Sequence, residues 1–113
     1  MWILTTVGFF SVVQKRGDSF LTVRARIASD LDHLRKEYMP ELSETATGQG
    51  PDYPYRATIS HDNFTSGMVK LMRDIRHSNF KNEVSKKVGG KREKGYSKAW
   101  HDLQHLEGLT KKT

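Results

Sequence analysis

Three arginines are the residues of this chain whose type and spacing best suit a binding chemistry. Arg24 and Arg26 alternate with apolar residues in the run Leu21 to Ile27, and Arg56 does the same in Tyr55 to Ile59. A period of two places arginines on the polar face of a strand and the aliphatics on the other. If both segments join one sheet, Arg24, Arg26 and Arg56 cluster with Phe9, Thr22 and Thr58. Neither segment carries an acidic residue on that face. A planar guanidinium meets phosphate through two parallel hydrogen bonds. An arginine-bearing sheet face with an aromatic ring suits phosphate contact and base stacking. A simply solvated face, or arginines neutralised by carboxylates from elsewhere, is the other reading of the same pattern.

A second basic feature surrounds Gly89-Gly90. Lys86, Lys87, Lys91, Arg92 and Lys94 form a run that reads as a basic loop able to track a phosphate backbone. No Walker pattern accompanies it. The whole net charge of +6 lies in the second half: residues 1–60 hold seven Lys/Arg against seven Asp/Glu, and residues 61–113 twelve against six. Such asymmetry points to a polyanionic partner, RNA or DNA, with an acidic protein as the alternative.

Other motifs carry less. His101 and His105 stand four apart, a spacing that can hold zinc, but Asp102 replaces the glutamate of the zinc-protease helix and no third ligand is evident. We expect no metal there and no cofactor. Arg16-Gly17-Asp18 reads as a turn rather than an adhesion motif. With no cysteine, the chain has no thiol nucleophile and no disulfide, which favours a reducing, cytoplasmic compartment. The apolar start lacks the basic region and cleavage site of a signal peptide, and no apolar run reaches the roughly 18 residues of a membrane span.

The elements that must position these residues follow from periodicity. Trp2 to Gln14 and Phe20 to Ile27 predict a hairpin joined at Lys15–Asp18, with Val12 opposite Leu21 and Phe10 opposite Val23. Gly8 suits a bulge. Ser29 reads as the N-cap of a helix whose stripe is Leu31, Leu34 and Tyr38, ended by Pro40. Residues 41–54 read as a loop long enough to be mobile or functional. Tyr55 to Ser60 predicts a third strand, and Phe64, Met68, Leu71, Met72 and Ile75 a helical stripe. A helix through Phe80, Val84 and Val88 breaks at Gly89-Gly90, and a last one from about Tyr96 to Glu107 buries Trp100 and Leu103. The order β-β-α-β-α-α predicts an α+β two-layer sandwich, an antiparallel sheet of about three strands with helices on one face and the other face open. Leu21, Val23, Phe64, Leu71, Ile75, Trp100 and Leu103 should share one core. Residues 1–108 read as one domain and 109–113 as a flexible basic tail.

Trp2-Ile3 through Gly8-Phe9-Phe10-Ser11, Val23-Arg24-Ala25-Arg26, Asp52-Tyr53-Pro54-Tyr55-Arg56 and Ser78-Asn79-Phe80-Lys81 together resemble a family of small bacterial proteins without an assigned function. The resemblance runs to the Tyr96/Trp100 region and implies a free-standing bacterial protein of about this length. It carries over no functional residue.

The residues therefore lead to a binding module that contacts nucleic-acid phosphates through Arg24, Arg26 and Arg56, with help from Lys86, Lys87, Lys91, Arg92 and Lys94. The alternative is a metal-independent ribonuclease of the toxin type, for which Arg24, Arg56, Tyr53, Tyr55 and His61 are the candidate acid–base and oxyanion groups. A third reading is an interaction subunit for an acidic protein. Oligomeric state is not legible.

Overall fold

A computed structural model describes residues 1–109. The basic tail expected at 109–113 lies, from residue 110 on, outside the described residues. The chain forms two compact units, Met1–Arg76 and His77 onward.

The first unit holds a four-stranded antiparallel sheet in the order β1-β2-β3-β4, a meander of β1 (Trp2–Leu4), β2 (Phe9–Val13), β3 (Leu21–Ala25) and β4 (Tyr55–Ile59). The α+β class and the antiparallel sheet agree with the periodicity, but the sheet gains a strand. Trp2 to Gln14 is two strands, because the Thr5 hydroxyl accepts from Val7 and Gly8 backbone amides and donates to the Gly8 carbonyl. Threonine here gives the backbone a local alternative to the ladder, and the chain reverses at Thr5–Gly8. A Cβ on Gly8 would lie 2.6 Å from Cβ of Asp30, so glycine is required by close approach. Asp30 is buried and accepts from the Phe9 amide at 3.0 Å.

The β2–β3 register pairs Val12 with Val23 and Ser11 with Arg24, two residues away from the expected pairing. Residues 14–20 lie outside the ladder, so the connection is longer than the Lys15–Asp18 turn alone. A shift of two preserves faces, whereas a shift of one would have inverted them. Phe10, Val12, Leu21, Val23, Ala25, Ala57 and Ile59 therefore point to the core as expected.

Helices α1 (Ala28–Glu37) and α2 (His61–Arg73) supply the rest of this core through Leu31, Leu34 and Tyr38, and through Phe64 and Leu71. Ser29 is not the cap of α1. Ile27 occupies that position without a side-chain bond, and the first-turn carboxylate of Asp30 is spent on Phe9 instead. In α2 the Ser60 hydroxyl accepts from the Asn63 amide, a standard N-cap bond. The expected stripe of α2 is too long. Met72 and Ile75 are exposed, and the helix ends at Arg73, so Ile75 has left the helical period. Leu71→Ala should still cost about 2–5 kcal/mol, read as a lowered urea midpoint.

Tyr38 closes the first unit. Its hydroxyl donates to Asp74 at 2.6 Å. Burial first, then the hydrogen bond and the negative charge of Asp74, push its phenol up to about 12. The unfolded phenol loses its proton near pH 10, so the folded state holds it more tightly. The associated stability is complete below about pH 10 and is lost as pH rises through about 12, on the order of 2 kcal/mol. Urea midpoints measured from pH 8 to 12 should fall less steeply for Tyr38→Phe than for wild type.

The second unit contains α3 (Phe80–Val88) and α4 (Gly90–Leu103), followed by a 3-10 turn at Gln104–Gly108. Asn79 caps α3 by accepting from the Asn82 amide. Gly89, at φ 106°, makes the break that the Gly-Gly pair predicts. The unit buries Val84 and Tyr96, and the Tyr96 ring stacks on Phe80 at 5.8 Å. Trp100 and Leu103, expected in the core, are exposed. All members of the main core cluster lie between Phe10 and Leu71, so neither residue has a place in it. Trp100 lies instead under the Lys81 ammonium, 4.8 Å from its ring centre. Among the described residues no helix is long and apolar enough to cross a membrane.

Candidate functional site

The register across the sheet sets out one polar row: Trp2 opposite Ser11, Ser11 opposite Arg24, Arg24 opposite Arg56. The next row on that face places Val13 opposite Thr22 and Thr22 opposite Thr58. Arg24 and Arg56 are thus immediate cross-strand neighbours, with Cα atoms roughly 5 Å apart. Two like charges placed so are destabilising unless something answers them.

Part of the answer is Tyr53, from the segment before β4. It is buried, and the guanidinium carbons of Arg24 and Arg26 lie over its ring at 4.6 and 5.0 Å. The ring quadrupole attracts both cations. The Tyr53 carbonyl accepts from Arg56 Nε at 3.2 Å, and Ser11 Oγ accepts from Arg24 at 2.7 Å. The three arginines that alternation singled out therefore converge on one tyrosine. None has a carboxylate within 4.0 Å among the described residues. Arg24 Nε is buried and finds no acceptor there, an expensive arrangement for a cationic donor.

The aromatic partner differs from expectation. Phe9, thought to accompany the arginines, meets Trp2 edge-on at 5.8 Å, and Trp2 is 68% exposed. The centre of the outer face is not open, since Ser11 and Thr22 are both buried. Residues 41–54, read as a loop long enough to be mobile or functional, are held by hydrogen bonds. Ala46 and Arg56 exchange backbone hydrogen bonds of 2.7 and 3.0 Å along the edge of β4. Arg35 on α1 donates to the carbonyls of Leu42 and Ser43 and to Thr45 Oγ1. This pinning sets Tyr53 against the sheet. No periodicity signals it, because Arg35 reaches backbone carbonyls beyond its own helix and Ala46 pairs with Arg56 through the backbone.

The ribonuclease candidates do not all gather. Arg24, Arg56 and Tyr53 meet, but Tyr55 packs on the core side of β4. His61 opens α2, beyond the end of β4 at Ile59. Its Nε2 is 2.8 Å from Gln14 Oε1.

The basic run of the second unit is helical, not a loop. Lys86 and Lys87 end α3 and share Glu83, at 4.0 and 3.5 Å. Lys91, Arg92 and Lys94 lie in the first turns of α4. The Arg92 guanidinium lies 5.8 Å from the Tyr96 ring centre. Lys91 and Lys94 are exposed with no ion pair among the described residues. His101 ends in α4 and His105 in the 3-10 turn, so the two do not share one α-helical face. No group of three metal-ligating side chains occurs among the described residues.

No protein-family profile, curated protein or solved structure matches this chain.

Proposed function

We propose that the first unit binds single-stranded nucleic acid, RNA foremost, through phosphate contacts at Arg24, Arg26 and Arg56. The observation that carries this reading is the neighbouring Arg24–Arg56 pair, joined by Arg26 over Tyr53 and, among the described residues, unmatched by any carboxylate within 4.0 Å. A phosphate removes the like-charge cost, and guanidinium geometry fits it well. Exposed Trp2 beside Phe9 offers a flat apolar surface on the same face, on which an unpaired base can stack. Lys86, Lys87, Lys91, Arg92 and Lys94 add positive charge on the second unit and contribute a diffuse electrostatic share. A bacterial, cytoplasmic setting is part of the same proposal.

The test is fluorescence anisotropy of a short single-stranded RNA across a series of salt concentrations. Wild type should bind at low salt and weaken steeply as salt rises. Arg24, Arg26 and Arg56 changed together to Gln should remove most of the affinity. The slope of log affinity against log salt should flatten by about 2, three contacts at about 0.7 each. Circular dichroism at a temperature where the variant is folded is the control, because Arg24 and Arg56 are only half-exposed and glutamine loses their contacts to Ser11, the Tyr53 carbonyl and the Tyr53 ring. Changing Lys86, Lys87, Lys91 and Lys94 to Gln should weaken binding more mildly. Absence of binding to RNA and DNA at low salt would end this reading in favour of an acidic protein partner. Equal binding by the triple variant would assign the affinity to the lysines.

A further inference from the structure

We infer that the cleft beside Arg56 is a subsite for a single guanine base, an inference that rests on the nucleic-acid reading and names what that surface selects. The cleft encloses about 270 Å³ between the β2–β3 connection and the 43–49 segment. Thr22 and Thr58, a cross-strand pair on the arginine face, lie along it, and Arg56 belongs to its lining. Its volume is below the roughly 300–1,000 Å³ of drug-sized sites and on the scale of one nucleobase. Thr58 stands two residues from Arg56, about 7 Å along β4. A phosphate held by Arg24 and Arg56 therefore leaves its own base or the next within reach of the cleft.

The chemistry of the walls selects the occupant. Phe20 contributes a ring that is 39% exposed, a surface for stacking. Asp18 lines the cleft from the turn and Glu44 from the 43–49 segment, and neither carboxylate has an ion pair among the described residues. Two carboxylates repel a phosphate, so this space is not a second phosphate site. With Lys15 and Arg56 in the same lining the charges balance, and the carboxylates call for a neutral group rich in donors. Guanine alone among the bases presents two adjacent donors, N1–H and the N2 amine, which one carboxylate accepts together. Its O6 and N7 are acceptors that arginine or lysine can address, and Arg56 and Lys15 both line the cleft. Adenine and cytosine place an acceptor beside their amine, and uracil places its single N–H between two carbonyls.

The test uses the full chain and fluorescein-labelled oligouridylate eight residues long, compared with the same oligomer carrying one central guanosine. The guanosine oligomer should bind about tenfold more tightly, the scale of one bidentate base contact. Inosine at that position, lacking the N2 amine, should lose most of the gain. Asp18→Asn with Glu44→Gln should erase the preference while leaving oligouridylate binding equal or stronger, since negative charge has been removed. Equal binding of the two oligomers by wild type, with normal salt dependence, would overturn the guanine subsite and leave the arginine reading standing. So would a preference that survives in the double variant. Failure to bind either oligomer would overturn the arginine reading itself.

Discussion

Phe10→Ala is expected to lower the stability of the first unit by about 3–5 kcal/mol, a large share of what holds a small domain together. Phe10 is 2% exposed and is among the largest side chains buried this completely. It sits in β2 opposite Ile3 and belongs to the same cluster as Val23, Leu31 and Leu34. Truncation removes most of a ring from a close-packed interior that relaxes only partly, so lost transfer energy and a residual cavity add. Phe9→Ala, one residue away on the opposite face and only half-buried, should cost clearly less. The pair of variants thus reads the parity of β2 directly. Urea denaturation followed by circular dichroism gives both values. Equal losses at the two positions would contradict the register on which the arginine row depends.

Tyr53→Ala should act on stability and on binding together. The ring is 6% exposed, although it lies in a segment without regular structure. Its removal should cost about 2–4 kcal/mol, somewhat less than a core phenylalanine because a loop can collapse into the space. The larger consequence concerns Arg24 and Arg26, whose guanidiniums lie over that ring. Without it both side chains regain rotamer freedom that binding must then remove, at roughly 0.5–1.5 kcal/mol each. RNA affinity should fall about tenfold, although the proposed contacts run through the arginines and none through Tyr53. Tyr53→Phe keeps the ring and should restore both stability and affinity. A fall in stability with unchanged affinity at a temperature where the variant is folded would show that the arginines need no such support.

Charge and alternation by themselves determined much of this surface. Arg24, Arg26 and Arg56 were assigned to one face by a period of two. For Arg24 and Arg56 the shared face holds through a two-residue register shift because side-chain direction repeats every two residues. Arg26, by contrast, lies past the end of β3 and joins them through the Tyr53 ring. The core stripes of α1 and of α2 as far as Leu71 are equally legible, since helical spacing dictates which residues can face a sheet. Tertiary structure decided the rest. Thr5 split the first strand through bonds to its own neighbourhood, a choice that propensity does not register. Ile75 stands outside the core because α2 ends at Arg73, and Trp100 and Leu103 because the core cluster is built between Phe10 and Leu71. A stripe shows that a helix face is apolar, not what covers it. Tyr53 offers no periodic signal. Its place beneath two arginines depends on Arg35 holding the carbonyls of residues 42 and 43 and on Ala46 pairing with Arg56. Hydrogen bonds between residues distant in sequence are local only in three dimensions, and only the folded chain brings their partners together.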